Sequence, residues 1–377
     1  MIEALPPPPP DATRWPDAHL THLLRAAIGH GEHAASSWQR VLDARHSSAD
    51  AWTRAEARLL PLVWWHLRHV PGVTGLGTLP LIYQTTWASN HETLAAAAAV
   101  IAELHTAGIE TLVFRGAGLV VATYPKVGLR PIGDVDLLVR PADAAHARRV
   151  LSDAGFAPKV IYQGNALSCV HSLNFERPRL SIDLHWRALK ECQGVDDDTE
   201  LWAHARPVLL AGVPTRVPAP EDHLILVCAH GLRWTASRSV HWLADAAMLV
   251  NAGGDQSVDW PRFLAMARAR RLMLPMRRAL EFLSSTLDVP VPEDVRRTLV
   301  ATPSTRRERL EHAVLMRPPS VLRGLIRQWC EHSRLHPEQP WPRRLAGFPE
   351  WLRSAWGISE AAGVPIAALR KAAARKP

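Results

Sequence analysis

Apolar residues change their spacing twice along this chain of 377 residues. Between about residues 15 and 105 they recur at the spacing of amphipathic helices, and the alanine run at residues 95–99 adds high helix propensity. Short apolar runs closed by glycine follow from residue 110, and beyond Pro218-Ala219-Pro220 the helical spacing returns. The sequence therefore predicts a core that contains strands, placed between two helical regions.

Four runs in the middle of the chain are predicted as strands, at residues 111–114, 134–139, 168–176 and 180–186. Pro141-Ala142-Asp143 opens a helix that runs through Leu151 and stops at Gly155. After residue 220, the segment 224–229 is apolar all round, as in a buried helix. A second helix, 241–250, ends before Gly253-Gly254. The predicted fold class is α+β, a small mixed sheet flanked by N-terminal and C-terminal helical regions.

Five parts of the chain are predicted from these changes. Prolines 6–10 form a run that cannot pack, so residues 1–12 are predicted to be a disordered leader. The others are an N-terminal helical region at 13–105, an α/β core at 106–215, a C-terminal helical domain at 216–335 and a basic tail at 336–377.

Composition narrows the class of protein. The chain is 47% hydrophobic and 21% charged, and its four cysteines show no Cys-x-x-Cys spacing, which argues against a zinc site and against a disulfide framework. The longest apolar run, residues 94–102, is far shorter than the roughly 18 residues of a membrane helix. We expect a soluble cytoplasmic protein with reduced thiols and no stable membrane association.

The net charge of +8 lies entirely in the C-terminal part of the chain. Residues 301–377 carry 14 Lys and Arg against six Glu. The residues that mix charge with aromatic surface are Arg323, Arg327, Arg334, Arg343, Arg344 and Arg353, with Trp329, Trp341, Trp351 and Trp356. Such a mixture suits an anionic acceptor, although arginine-rich helices are also often only solvated surface, with the tryptophans packed on the body.

Asp134-Val135-Asp136 carries the strongest chemical signal. Because side chains alternate on a strand, both carboxylates project from one face and repel each other unless a cation lies between them. Magnesium prefers such oxygen ligands. Asp183 lies on a later strand, and enough chain separates the two for that strand to return beside the first. We therefore expect the three carboxylates to converge at one end of the sheet. The other interpretations are a turn-and-cap pattern for the pair and a strand-end salt bridge for Asp183.

A glycine-containing turn precedes these carboxylates. Arg115-Gly116-Ala117-Gly118 closes the first strand and opens a helix predicted at 119–123, so its backbone amides can bind phosphate. We expect the Gly116 amide to face the same pocket as the carboxylates. Arg130 is predicted to contact a triphosphate or to hold a carboxylate in place, and a surface arginine is the other interpretation.

The chain contains nineteen histidines, so their position and surroundings decide which of them are functional candidates. His185 shares a strand face with Asp183 and is predicted to orient it or to touch an acceptor, with a structural histidine as the alternative. His230 and Asp245 lie on apolar helices and need partners, so they are predicted to pair with each other or to line a nucleobase pocket. The pairs His19 and His22, His30 and His33, and His66 and His69 are predicted to be surface residues.

The order of these elements resembles the nucleotidyltransferase superfamily of the polymerase beta type. The chain looks most like its bacterial group of uncharacterised nucleotidyltransferases, over about residues 50–255, with the most specific similarity in 114–139 and at Asp183. The superfamily commonly has Gly-Ser or Gly-Gly after its first strand, whereas this chain has Gly116-Ala117, which leaves phosphate binding to backbone amides.

The resemblance implies an enzyme that binds ATP or another nucleoside triphosphate with two magnesium ions. It would transfer a nucleoside monophosphate to a hydroxyl or phosphate and release pyrophosphate. Asp134, Asp136 and Asp183 would be the catalytic metal ligands, and Arg115, Gly116, Ala117 and Arg130 would bind the nucleotide. The acceptor stays open between peptide, protein, small molecule and RNA, as does the oligomeric state. Two alternatives are a kinase-like phosphoryl transferase and a catalytically silent binding scaffold.

Overall fold

The computed structural model describes residues 15–46, 51–160, 170–190, 198–233, 240–317, 320–336 and 338–356. The predicted leader at residues 1–12, the beginning of the strand predicted at 168–176 and the end of the basic tail lie outside these residues.

The described chain forms helices and seven strands, which are labelled in chain order. The helices are α1 (Ala18–Ile28), α2 (Gly31–His46), α3 (Arg54–Ala57), α4 (Leu60–Leu67), α5 (Leu79–Thr106), α6 (Arg115–Ala122), α7 (Ala144–Asp153), α8 (Thr199–Ala203), α9 (Pro220–Gly231), α10 (His241–Asn251), α11 (Trp260–Ala269), α12 (Met273–Thr286), α13 (Glu293–Ala301), α14 (Arg306–Leu315), α15 (Val321–Leu335) and α16 (Trp341–Ala355). The strands are β1 (Thr111–Phe114), β2 (Val135–Val139), β3 (Ala157–Pro158), β4 (Ser172–Arg177), β5 (Leu180–His185), β6 (Arg206–Leu210) and β7 (Val213–Val217).

All seven strands belong to one mixed sheet in the order β3-β4-β5-β2-β1-β7-β6. The central β1 and β2 are antiparallel, whereas β5 runs parallel to β2 and β7 runs parallel to β1. A mixed sheet between helical regions confirms the predicted α+β fold class. The strands predicted at 111–114, 134–139 and 180–186 are present to within one residue at each end.

The two faces of the sheet belong to different hydrophobic cores. Val113 and Leu137 point into a core shared with α5 and α7, whereas Leu112, Phe114 and Leu138 join the larger core of the helical regions. The alternation of side chains therefore puts Asp136 on the face that looks toward the helices after residue 220.

Two features depart from the predictions. The helix predicted at 119–123 begins at Arg115, so the whole glycine turn belongs to α6. The hairpin of β6 and β7 was not predicted, and β7 places a further strand directly beside β1.

The basic C-terminal part folds as helices in the residues described. Trp351 and Leu352 of α16 pack against Leu325 and Leu335 of α15, so the packing continues across the predicted boundary at 335/336. None of the described helices is long and apolar enough to cross a membrane.

Several arginines of these helices are already paired. Arg334 is buried against Glu311, Arg327 lies 3.5 Å from Glu331, and Arg353 contacts Glu350. Arg343 is exposed. The positive charge open to an anionic acceptor is therefore smaller than the sequence count indicates.

Candidate active site

Asp136 and Asp183 lie side by side on neighbouring strands. The parallel pairing of β2 and β5 makes them register partners, and Phe114 of β1 is the partner of Asp136 on the other side. Because register partners project from the same face of a sheet, these two of the three carboxylates predicted to converge lie together. Asp134 directly precedes β2 and is exposed.

Arg115 brings a guanidinium onto this carboxylate pair. Its backbone has φ +48°, in the left-handed region, at the junction where β1 ends and α6 begins. Its Nη2 lies 2.5 Å from Oδ1 of Asp136 and 4.0 Å from Oδ2 of Asp183. Its Nη1 donates to Nδ1 of His230 on α9 at 2.8 Å. The arginine thus connects the sheet to the C-terminal helices.

His185 completes the cluster from the end of β5. Its Nε2 lies 2.9 Å from Oδ2 of Asp183 and 3.2 Å from Oδ1 of Asp136, and the residue is only 1% exposed. The ring packs edge-on against Phe114 with a centroid distance of 4.9 Å. Asp136 therefore has Arg115 and His185 on the same oxygen.

Charge coupling shifts the pKa values within the cluster. Burial alone would raise the pKa of Asp183, but the charge and hydrogen bond of His185, with Arg115 nearby, lower that pKa well below its usual range. Burial alone would lower the pKa of His185, but Asp183 and the hydrogen bonds to both carboxylates raise it. Desolvation by the surrounding protein, followed by the negative charge of Asp136, raises the pKa of Asp134. Asp183 and His185 therefore each favour the charged form of the other.

The cluster has the donor atoms of a divalent-cation site. Among the described residues, one group of at least three metal-ligating side chains comes together, with ligand atoms within 4.8 Å of one another: Asp136, Asp183 and His185. Asp134 lies outside this group, although its carboxylate interacts electrostatically with both aspartates. Oδ1 of Asp183 is buried without a hydrogen-bond partner. An unpartnered carboxylate oxygen beside a second carboxylate fits a hard cation such as magnesium.

The start of α6 borders the same cluster. Its N-cap residue, Phe114, offers no side-chain hydrogen bond to the helix amides, which leaves them for another acceptor. A Cβ at Gly116 would lie 2.9 Å from Nη1 of Arg130, so a larger residue would have to displace that guanidinium. Ala117 has a fully buried side chain and offers only its backbone.

Arg130 lies under this turn, and its interpretation as a surface arginine is wrong. It is 7% exposed and forms a bidentate pair with Asp245 of α10, from Nε to Oδ1 at 2.7 Å and from Nη2 to Oδ2 at 2.9 Å. Tyr124 donates its hydroxyl to the same carboxylate at 2.7 Å. Direct contact of Arg130 with a triphosphate would require this pair to break, so its observed contacts suit holding a carboxylate and supporting Gly116.

The predicted pairing of His230 with Asp245 is also wrong. His230 accepts from Arg115, and Asp245 binds Arg130 and Tyr124. The pKa of His230 is lowered by desolvation and then by the positive charges of Arg115 and Arg233. The lowered pKa keeps Nδ1 available as a hydrogen-bond acceptor. Sequence reasoning missed the contact because 115 positions separate His230 from Arg115, and no local motif marks it.

Asn90 of α5 is a second residue that the sequence did not reveal. Its side-chain amide donates to the carbonyls of Val127 and Arg130, and its Oδ1 accepts from the backbone of Ile132. This clamp fixes the loop between α6 and β2, and so fixes where the strand bearing Asp136 begins.

Comparison with known proteins identifies the family. No curated protein matches the chain. Residues 50–288 match the family described as uncharacterised nucleotidyltransferase, a range that contains β1, β2, β5, α6, α9 and α10. The match covers more than half of the chain and includes every residue of the cluster. The chain belongs to the uncharacterised nucleotidyltransferase family and is a transferase of nucleotidyl groups.

Proposed function

We propose that this protein transfers a nucleoside monophosphate from a nucleoside triphosphate to a hydroxyl or phosphate of an acceptor, in a reaction that depends on magnesium and releases pyrophosphate. The observation that carries the proposal is the register pair Asp136 and Asp183, with the unpartnered oxygen of Asp183, beside the open N-terminus of α6. ATP is the first triphosphate to test, and the cytoplasm is the expected location.

Asp136 and Asp183 would hold the metal, and Asp134 would add a further carboxylate at the exposed edge. Two bound magnesium ions would neutralise charge on the phosphate oxygens and favour ionisation of the attacking hydroxyl. The donor set is mainly oxygen, as magnesium requires. We assign His185 to orienting Asp183, because its Nε2 already binds the carboxylate oxygen opposite the unpartnered one.

In this proposal Arg115 can bind two anionic groups, the carboxylate of Asp136 and the phosphates of the nucleotide. Asp136 is only 4% exposed, and a buried carboxylate without a counter-charge is costly. Arg115 supplies that charge here, and its guanidinium would bind phosphate oxygens if a divalent cation held by Asp136 and Asp183 supplied the charge instead. The amides of Gly116 and Ala117 would bind the same triphosphate at the helix N-terminus. Arg130 acts as a positioning residue beneath Gly116.

A catalytically silent binding scaffold is the second candidate, and one observation favours it. The Arg115–Asp136 ion pair already neutralises the buried carboxylate without any metal. In a scaffold this pair would stay closed without a metal, whereas in an enzyme Asp136 and Asp183 would hold a divalent cation. Direct measurement of metal binding therefore distinguishes the two.

The experiment combines metal binding with the fate of each phosphate. Mn²⁺ binding to the full chain is followed by electron paramagnetic resonance. Nucleoside triphosphates labelled at the α or the γ phosphate are then incubated with magnesium and fractionated cell extract. We expect Mn²⁺ to bind and the α label to appear on an acceptor. Transfer of the γ label instead would establish a kinase-like phosphoryl transferase.

Matched variants locate the activity. Asp136→Asn and Asp183→Asn should each weaken Mn²⁺ binding and lower transfer by about 100-fold or more, because each removes a metal-binding charge. Asp153→Asn, an exposed position at the end of α7, is the matched control and should behave like the wild type. Normal Mn²⁺ binding and transfer in both site variants would refute the assignment.

An anionic acceptor that binds the exposed part of the basic tail belongs to the same proposal. Arg343→Gln should then weaken acceptor binding and reduce its salt dependence while triphosphate binding is unchanged, because fewer counterions are released. An unaltered salt dependence would indicate that this part of the tail is solvated surface and does not bind the acceptor.

A further inference from the structure

A cavity of about 760 Å³ lies between α1, α2, the end of α10 and the chain segment that follows α12. Small-molecule sites typically have volumes of about 300–1,000 Å³. Its polar lining includes His22, Arg25, His33, Arg40, Asn251 and Asp288. None of these residues belongs to the candidate active site. The histidines among them, predicted to be surface residues, face a common space.

The lining residues come from one face of each helix. On α1, His22 and Arg25 are three positions apart. On α2, His33, Ser37 and Arg40 follow at intervals of four and three. These spacings place each set on a single helix face. The two helices therefore direct polar side chains into one cavity.

The cavity is electropositive. Arg25 is held in place by a hydrogen bond from its Nε to the carbonyl of Thr286 at 2.9 Å. Its nearest carboxylate, on Asp288, is 4.0 Å away and 79% exposed, so it compensates the charge weakly. Arg40 forms no ion pair with any residue in the part of the chain that the structure describes.

The pKa of His22 reflects the same excess of positive charge. Burial, followed by the charges of Arg40 and Arg25, lowers the pKa of His22, so its ring stays neutral near pH 7. Its Nδ1 is buried without a hydrogen-bond partner.

We propose that this cavity binds a small phosphate-bearing molecule, with Arg25 and Arg40 contacting its phosphate. Guanidinium groups match phosphate oxygens in geometry and charge, and the anchored Arg25 is already oriented. His22 and Ser37 supply further hydrogen bonds. The site is independent of the proposed transfer reaction, because it shares no residue with the carboxylate cluster.

Inorganic phosphate is the probe for this site. Its binding to the full chain is measured by isothermal titration calorimetry at low salt and without divalent cations. Arg40→Gln should weaken phosphate binding by about tenfold, as the loss of a charge-assisted hydrogen bond does. Arg297→Gln, an exposed position on α13, is the matched control and should leave the affinity unchanged. Arg25→Gln is measured as a second site variant, with circular dichroism to verify its fold.

Phosphate can also bind at the transfer site, so Arg115→Gln and Gly116→Ala are measured in parallel. Loss of binding in the Arg40 and Arg25 variants, with normal binding in these two, supports the proposal. Three results would overturn it. These are no binding to the wild type, equal affinity in Arg40→Gln and Arg297→Gln, or loss of binding only in the transfer-site variants.

Discussion

The buried pair of Arg130 and Asp245 offers a quantitative test of how the helices after residue 220 support the glycine turn. Asp245 is 3% exposed and accepts two bonds from Arg130 and one from Tyr124. Arg130→Met leaves a buried carboxylate with only Tyr124, and Asp245→Leu leaves a buried guanidinium. Each single change should lower the free energy of unfolding by about 3–5 kcal/mol.

The double variant should be far less destabilised than the sum of the single variants. With both charges removed, the main remaining defect is the buried hydroxyl of Tyr124, which costs about 1–3 kcal/mol without a partner. Urea unfolding monitored by tryptophan fluorescence gives all three values, with equal m-values as the check on two-state behaviour. Strict additivity of the single variants would refute the reasoning, because it would mean that the two charges do not compensate each other.

Three further results are expected. Gly116→Ala should lower the free energy of unfolding by about 1–3 kcal/mol, because its Cβ would lie 2.9 Å from Arg130, whereas Gly253→Ala, with open space around its Cβ, should cost under about 1 kcal/mol by urea unfolding. Burial alone would raise the pKa of Asp245, but Arg130 lowers it. This carboxylate therefore stabilises the fold above about pH 4, and its contribution is lost as pH falls toward the lowered pKa. Urea midpoints measured between about pH 2.5 and 5 should fall more steeply with decreasing pH in the wild type than in Asp245→Asn. Cys228 is fully buried, which raises the pKa of its thiol. Peptide-resolved alkylation at pH 8 should therefore label Cys228 only after denaturation. Rapid labelling of the native protein would contradict the packing of α9.

The central strands were predictable because their signals are local. The run at 111–114 is apolar and closed by glycine, and the alternation from Asp134 to Val139 separates polar from apolar faces. The return of β5 beside β2 followed from the length of the connection. These features place Asp136 and Asp183 together without knowledge of any distant contact.

The hairpin of β6 and β7 was missed for reasons that are also local. Pro207 and Pro214 interrupt the two runs, and proline argues against a strand within a sheet. The turn is Ala211-Gly212, with φ of +45° and +88°, a geometry that hairpins usually achieve with Asn-Gly. An alanine in the left-handed region gives no signal in the sequence. The pairing is stabilised instead by contact of β7 with β1.

The partners of the two site arginines were not predictable, and they explain why the helices after residue 220 belong to the same functional unit as the sheet. Arg115 is held by His230 of α9, and Arg130 by Asp245 of α10. Without these helices Arg130 would be a buried guanidinium lacking its carboxylate partner, whereas Arg115 would keep Asp136 and lose only its contact with His230. The family match continues through both helices and ends at residue 288, just beyond α12. A separated fragment covering only residues 106–215 would retain the carboxylates and the Arg115–Asp136 pair but lose the carboxylate that holds Arg130 and the His230 contact of Arg115.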